Sequence, residues 1–197
     1  MNKNILLCGV GGQGTVLAAK VLADAAIANG EEVKTTETIG MAQRGGSVVS
    51  HVRIGQKVHS PLIPMQGADL MLAFEPAEAV RNIGYLKEHA TVVVSDKAVR
   101  PVTAALGGTS YTAEPMVEYL KKQGKKVILI DADALCKKCG SQKALNVILL
   151  GAATASGELG ISKEEMLLAL ERRIKKQYYE MNRTAFEMGY EIGGQAK

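Results

Sequence analysis

The sequence predicts a three-layer α/β fold, a mostly parallel sheet made mixed by a β-hairpin and followed by C-terminal helices. Three observations carry this. Short β-branched runs alternate with helical segments, the rhythm that parallel strands impose because their connections must cross the sheet. A cluster of glycines stands at the first junction between strand and helix. Beyond Ala144 the strand signals stop and helical spacing takes over. At 197 residues the chain is read as one domain, residues 1–197, long enough to bury a single core.

Asn4 to Val10 is an apolar run that ends in glycines, and Thr15 to Asn29 shows alanine-rich helical spacing closed by Gly30, a natural residue beyond a helix end. Glu32 to Thr36 reads as a second strand and Thr38 to Gly46 as a loop. Ser47 to Ile54 alternates valines with Ser50, His51 and Arg53, then turns at Gly55-Gln56 and returns through Lys57 to His59, which predicts a hairpin and a mixed sheet edge. Ala68 to Phe74 is a buried-type strand. Glu75-Pro76 opens a helix expected to run to about Glu88, since proline suits a first helical turn. Ala90 to Ser95 and Lys126 to Asp131 are further strands, separated by a helix from Glu114 to Gln123. Ser162 followed by Glu165 forms a capping box ahead of two C-terminal helices that span about residues 162–192.

Composition narrows the function classes. With 47% hydrophobic and 22% charged residues the chain has globular rather than disordered character. A net charge of +4, 4% aromatic residues and no tryptophan leave little with which to stack bases, so nucleic acid is not an expected partner. Lys121, Lys122, Lys125, Lys126, Lys137, Lys138 and Lys143 are read as solvated helix faces and ends. No apolar run approaches membrane-spanning length. Met1 to Leu7 has no signal-like stretch, and Cys8, Cys136 and Cys139 form no even disulfide framework, so a reducing cytoplasm is expected.

Gly9-Val10-Gly11-Gly12-Gln13-Gly14 fits the GxGxxG spacing between strand and helix, with Glu37 near the end of the second strand where a dinucleotide site places a ribose-binding acid. Two readings stand side by side. The glycines can let the backbone approach a pyrophosphate at the helix amino end, or they can simply permit a tight turn.

Two further stretches matter: Thr36 to Ser47, reading TETIGMAQRGGS and running into Val52-Arg53-Ile54, and Asn146 to Ala152, reading NVILLGA. With GVGGQG they resemble the gamma domain of pyruvate and related 2-oxoacid:ferredoxin oxidoreductases over nearly the whole chain. The loop and the final Asn182 with AFEMGY look nearest to the beta subunit of the indolepyruvate type. The resemblance implies a complex that converts an arylpyruvate, coenzyme A and oxidised ferredoxin into acyl-CoA, carbon dioxide and reduced ferredoxin. It further implies a hetero-oligomer with a large alpha subunit that carries thiamine diphosphate and the iron-sulfur clusters. This chain agrees in having no GDG-plus-asparagine thiamine motif and no cluster-spaced run of cysteines.

The residues expected to meet a cofactor or partner are therefore Gly9, Gly11, Gly12, Gln13, Gly14, Arg44, Gly45 and Gly46, with no catalytic residue and no metal ligand. Arg44, flanked by glycine, can fork onto a carboxylate or phosphate, or close its loop onto Glu37. Cys136-Lys137-Lys138-Cys139 is read as two incidental helix cysteines. His51, His59 and His89 lack catalytic spacing, and His51 is expected to be structural. The main reading is a subunit that presents the GVGGQG turn and the RGG loop to its partner near coenzyme A. The alternatives are a free-standing dinucleotide-binding oxidoreductase and an assembly domain with no ligand of its own.

Overall fold

The computed structural model describes residues 2–39, 45–101 and 111–195. Its sheet has six strands: β1 (Lys3–Val10), β2 (Val33–Ile39), β3 (Ser47–Ile54), β4 (Ala68–Ala73), β5 (Leu86–Ser95) and β6 (Lys126–Ile130). They lie in the order β2-β3-β1-β4-β5-β6. β1, β4, β5 and β6 pair in parallel, while β3 runs antiparallel to both its neighbours, β1 and β2. The helices are α1 (Thr15–Ala28), α2 (Pro76–Arg81), α3 (Glu114–Lys122), α4 (Ala132–Lys138), α5 (Leu145–Ala155), α6 (Lys163–Arg173) and α7 (Tyr179–Gln195).

Both faces of the sheet are covered, so the parallel strands read as continuous apolar runs rather than alternating ones. On one face Ile5, Leu7, Leu70, Leu72, Val93 and Ile128 pack beneath α1, α5, α6 and α7. On the other, Leu6, Met71, Val92 and Val94 pack beneath Ala79 of α2 and Leu120 of α3. The capping box at α6 is formed, with Ser162 Oγ accepting from Glu165 N and Glu165 Oε2 from Ser162 N.

Two expectations are corrected. Residues 57–59 do not return as a strand, and the mixed character of the sheet comes from β3 pairing back on β2. β3 is buried at five of its eight residues and has a ladder partner on each side, which places it inside the sheet and leaves β2 at the edge. Arg53 fastens the following segment as a loop, donating to Asn4 Oδ1, Ser60 O and Leu62 O at 2.9, 2.9 and 3.1 Å. The second correction concerns the helix expected to reach Glu88. α2 stops at Arg81, and a 3-10 turn over Ile83–Tyr85 leads into β5 from Leu86. Pairing of Leu86 with Ala68 and the bond from Gln66 N to Gly84 O draw this stretch into the sheet, so tertiary context overrides helical periodicity.

α5 and α7 touch at backbone level. A Cβ at Gly151 would lie 2.1 Å from Phe186 O, one at Gly189 1.9 Å from Ile148 O, and one at Gly193 2.3 Å from Ala152 O. Glycine is thus required at all three positions. Asn182, whose amide donates to Tyr178 O at 2.8 Å, serves α7 itself.

Candidate functional site at the glycine turn

After β1 the chain moves toward β2 and β3, whereas after β4 it moves toward β5 and β6. The reversal opens a crevice outside the carboxyl ends of β1 and β4, the position where open α/β sheets place ligands. Residues 11–14 lie there. Each glycine of the turn has a separate reason. Gly9 is hemmed in, because a Cβ would sit 2.8 Å from both Gln13 Oε1 and Phe74 Cβ. Gly14, the N-cap of α1 at φ +87°, would press a Cβ to 2.7 Å from Asn146 Nδ2. Gly12, at φ +103°, has nothing within 4 Å of its absent Cβ and is exposed. Packing accounts for Gly9 and Gly14. The apex at Gly12 is left open among the described residues.

Gln13 braces the crevice by accepting from Val10 N at 2.7 Å and donating to Phe74 O at 3.0 Å, so its side chain ties the ends of β1 and β4 together. The expected glycine loop docks on the turn as well: Gly11 N donates to Gly46 O at 2.8 Å and Gly45 N to Gly11 O at 3.5 Å. Arg44 lies outside the described residues. The structure therefore brings Gly9, Gly11, Gly12, Gln13, Gly14, Gly45 and Gly46 together.

Two grooves flank the turn and share Gly12, Gly14 and Leu17. One, of about 660 Å³, continues along Val16 and Lys20 to Arg173. Arg173 is committed to Asp24, with Nη2 to Oδ1 at 2.9 Å. The other, of about 470 Å³, runs past Lys97 and Val99 to Gln142, Lys143 and Asn146. α1 has no acidic residue in its first turn and no side-chain cap, so its positive amide end faces these grooves uncompensated.

Below the turn lies a buried pair of carboxylates that the sequence reading did not single out. Glu75 caps α2 and accepts from Glu78 N at 2.9 Å, Val99 N at 3.2 Å and Tyr111 Oη at 3.0 Å. Glu78 accepts from Ser47 Oγ at 2.6 Å and pairs with Arg81. Burial, together with the Glu75 charge and hydrogen bond, pushes the Tyr111 phenol up to about 12. Burial beside the same two carboxylates pushes the Cys8 thiol well up. The signal was present in the sequence: an acid directly after a wholly buried strand, at the switch point of the sheet, must be satisfied by neighbouring loops.

The dinucleotide reading fails on topology. β3 lies between β1 and β2, with Ser50 facing Leu7 on one side and Glu37 on the other. Glu37 thus stands two strand spacings, about 9–10 Å, from β1, rather than on the adjacent strand that carries the ribose-binding acid. His51 is structural, as expected. It is buried, accepts from Ile63 N at 3.2 Å and stacks edge-on against Tyr85, and burial lowers its pKa.

Cys136 and Cys139 lie in α4 and at its end, and burial raises both thiols, which removes the thiolate character a redox pair requires. Among the described residues no three His, Cys, Asp or Glu side chains gather in a way that could hold a metal ion. No helix among them is long and apolar enough to cross a membrane.

Comparison with known proteins places these features. Residues 4–192 match the pyruvate ferredoxin/flavodoxin oxidoreductase family. The indolepyruvate oxidoreductase subunit IorB of Archaeoglobus fulgidus is 38% identical over 96% of this chain and 94% of its own length. In fold the chain is similar to a keto/oxoacid ferredoxin oxidoreductase gamma subunit from Geobacter sulfurreducens PCA, with TM-score 0.72 and 24% identity over 99% of each chain. It is also similar to part of a 2-oxoglutarate:ferredoxin oxidoreductase from Magnetococcus marinus solved with 2-oxoglutarate, coenzyme A and succinyl-CoA bound. That match has TM-score 0.76 and 21% identity, and covers all of this chain but 31% of the other.

Proposed function

The chain belongs to the pyruvate ferredoxin/flavodoxin oxidoreductase family, and from that premise we propose that it is the non-thiamine subunit of a 2-oxoacid ferredoxin oxidoreductase, with indolepyruvate or another arylpyruvate as the oxoacid. It works as a single domain in a cytoplasmic hetero-oligomer. A large alpha subunit holds thiamine diphosphate and the iron-sulfur clusters and passes electrons to ferredoxin, and coenzyme A takes the acyl group.

The residues of this chain do not fit a cluster. Cys8 is sealed in the core, and Cys136 in α4 and Cys139 at its end stand apart from it. The chain's part is positioning: the GVGGQG turn and the RGG loop meet the alpha subunit where coenzyme A approaches. The observation that carries this reading is Gly12. Its left-handed conformation holds open an exposed apex that no described residue fills, at the switch point of the sheet. A backbone kept bare in this way suits close approach by a partner or ligand.

Arg44→Ala, purified with the alpha subunit, separates the two contacts. If Arg44 meets a coenzyme A phosphate, the apparent KM for coenzyme A rises about ten- to a hundredfold while the subunits stay together, the loss expected for one charge-assisted contact. If it meets the alpha subunit, retention of that subunit falls first. A lower melting temperature with wild-type kinetics and retention would make Arg44 a loop-closing residue and refute its place in the site.

A further inference from the structure

Glu75 and Glu78 follow the carboxyl end of β4, and both are buried, at 1% and 2% exposed. Burying a carboxylate is costly, and an apolar side chain of similar volume often serves a fold as well or better. What a carboxylate adds is a charged acceptor whose hydrogen bonds are short and directed. The partners of the two therefore show their use. Glu75 holds Val99 N and Tyr111 Oη, from the chain beyond β5. Glu78 reaches the other way, past the end of β1 to β3, and accepts from Ser47 Oγ at 2.6 Å.

Ser47 occupies a pivot. It faces Val10 across the ladder between β1 and β3, and the residues just outside that pair form the bond from Gly11 N to Gly46 O at 2.8 Å. Two anchors thus fix the Gly45-Gly46 segment on the glycine turn. One is this neutral backbone bond, whose donor is only half-buried. The other is the charge-assisted bond one residue further on, and its acceptor is held in place: Glu78 N donates to Glu75 Oε2 at 2.9 Å, and the second oxygen of Glu78 pairs with Arg81.

We infer that Glu78 is a positioning residue: through Ser47 it holds the Gly45-Gly46 segment against the GVGGQG turn, and so sets the surface that meets coenzyme A and the alpha subunit. The role of that surface rests on the function proposed above. The positioning itself is a property of this chain and is measured separately.

In the full chain without a partner, hydrogen exchange followed by NMR reads the Gly11 amide, which reports docking of the segment. The Phe74 amide, which donates to Cys8 O at 2.8 Å, reports the sheet. Ser47→Ala is expected to cut Gly11 protection at least about tenfold, the loss of one charge-assisted bond, with Phe74 protection and the melting temperature nearly unchanged. Ser47→Thr restores the hydroxyl and the protection. Glu78→Gln keeps an oxygen without the charge and lies between, and adding Ser47→Ala to it lowers protection no further than Ser47→Ala alone. In the assembled complex Ser47→Ala raises the apparent KM for coenzyme A at least about threefold while kcat at saturation is retained, because undocked segments reduce the competent fraction. Wild-type Gly11 protection in Ser47→Ala, a matching fall at Phe74, additive losses in the double variant, or no rescue by threonine would each overturn the inference. So would an unchanged KM in a complex that Gly12→Val impairs. If Gly12→Val is harmless while Ser47→Ala still releases Gly11, the reading of the turn as a contact fails and the positioning stands.

Discussion

Gly189→Ala is expected to lower the melting temperature of the chain by roughly 6–12 °C, the change that about 3 kcal/mol produces in a domain of this size. The added methyl would stand 1.9 Å from Ile148 O and 2.8 Å from its carbonyl carbon, both backbone atoms, so no side chain can swing aside and α5 and α7 must separate. Separation would disturb packing around Ile148, Ala185 and Phe186, which belong to the larger core. Gly194→Ala supplies the comparison on the same helix. Nothing lies within 4 Å of its Cβ, so it should be neutral or slightly stabilising through helix propensity. Thermal melts of the two variants decide the matter, and equal melting temperatures would contradict the close crossing.

Gly12→Val should act in the opposite place. The isolated chain is expected to lose about 1–3 kcal/mol, because a β-branched residue is strained at φ +103°, and to remain folded because no atom of the described residues opposes the side chain. In the complex the same substitution should reduce subunit retention or turnover at least about a hundredfold, since the methyls would occupy the space through which a partner or ligand is proposed to approach. Gly30→Val, at φ +78° beyond the other end of α1 and equally open, carries comparable strain away from the turn. Equal effects of the two variants on the complex would mean that strain, and not contact, explains the loss.

These two positions show what the sequence made legible. The β-α-β rhythm, the glycine turn and the capping box at Ser162 are local signals and could be read directly. The place of β3 could not. Its alternation of valines with Ser50, His51 and Arg53 resembles a hairpin arm, yet its partners β1 and β2 come from earlier in the chain, and no local rule selects them. That insertion moves Glu37 away from the turn and removes the dinucleotide reading that GxGxxG spacing invites.

Glu75 looked like a helix opener because its neighbour is proline. Its other role, joining Val99 and Tyr111 to α2, depends on contacts 24 and 36 residues away. Asn146 was visible as part of a recognised stretch, but its close approach to Gly14 could be found only once α5 was laid against the turn.

The central claim is that this chain completes a 2-oxoacid ferredoxin oxidoreductase without performing its chemistry. The direct measurement is indolepyruvate- and coenzyme A-dependent reduction of ferredoxin by the purified chain, by the alpha subunit proposed to bear thiamine diphosphate, and by the two combined. The account predicts no turnover by the chain alone and full turnover on combination. Turnover by this chain, purified free of thiamine diphosphate and iron, would contradict it.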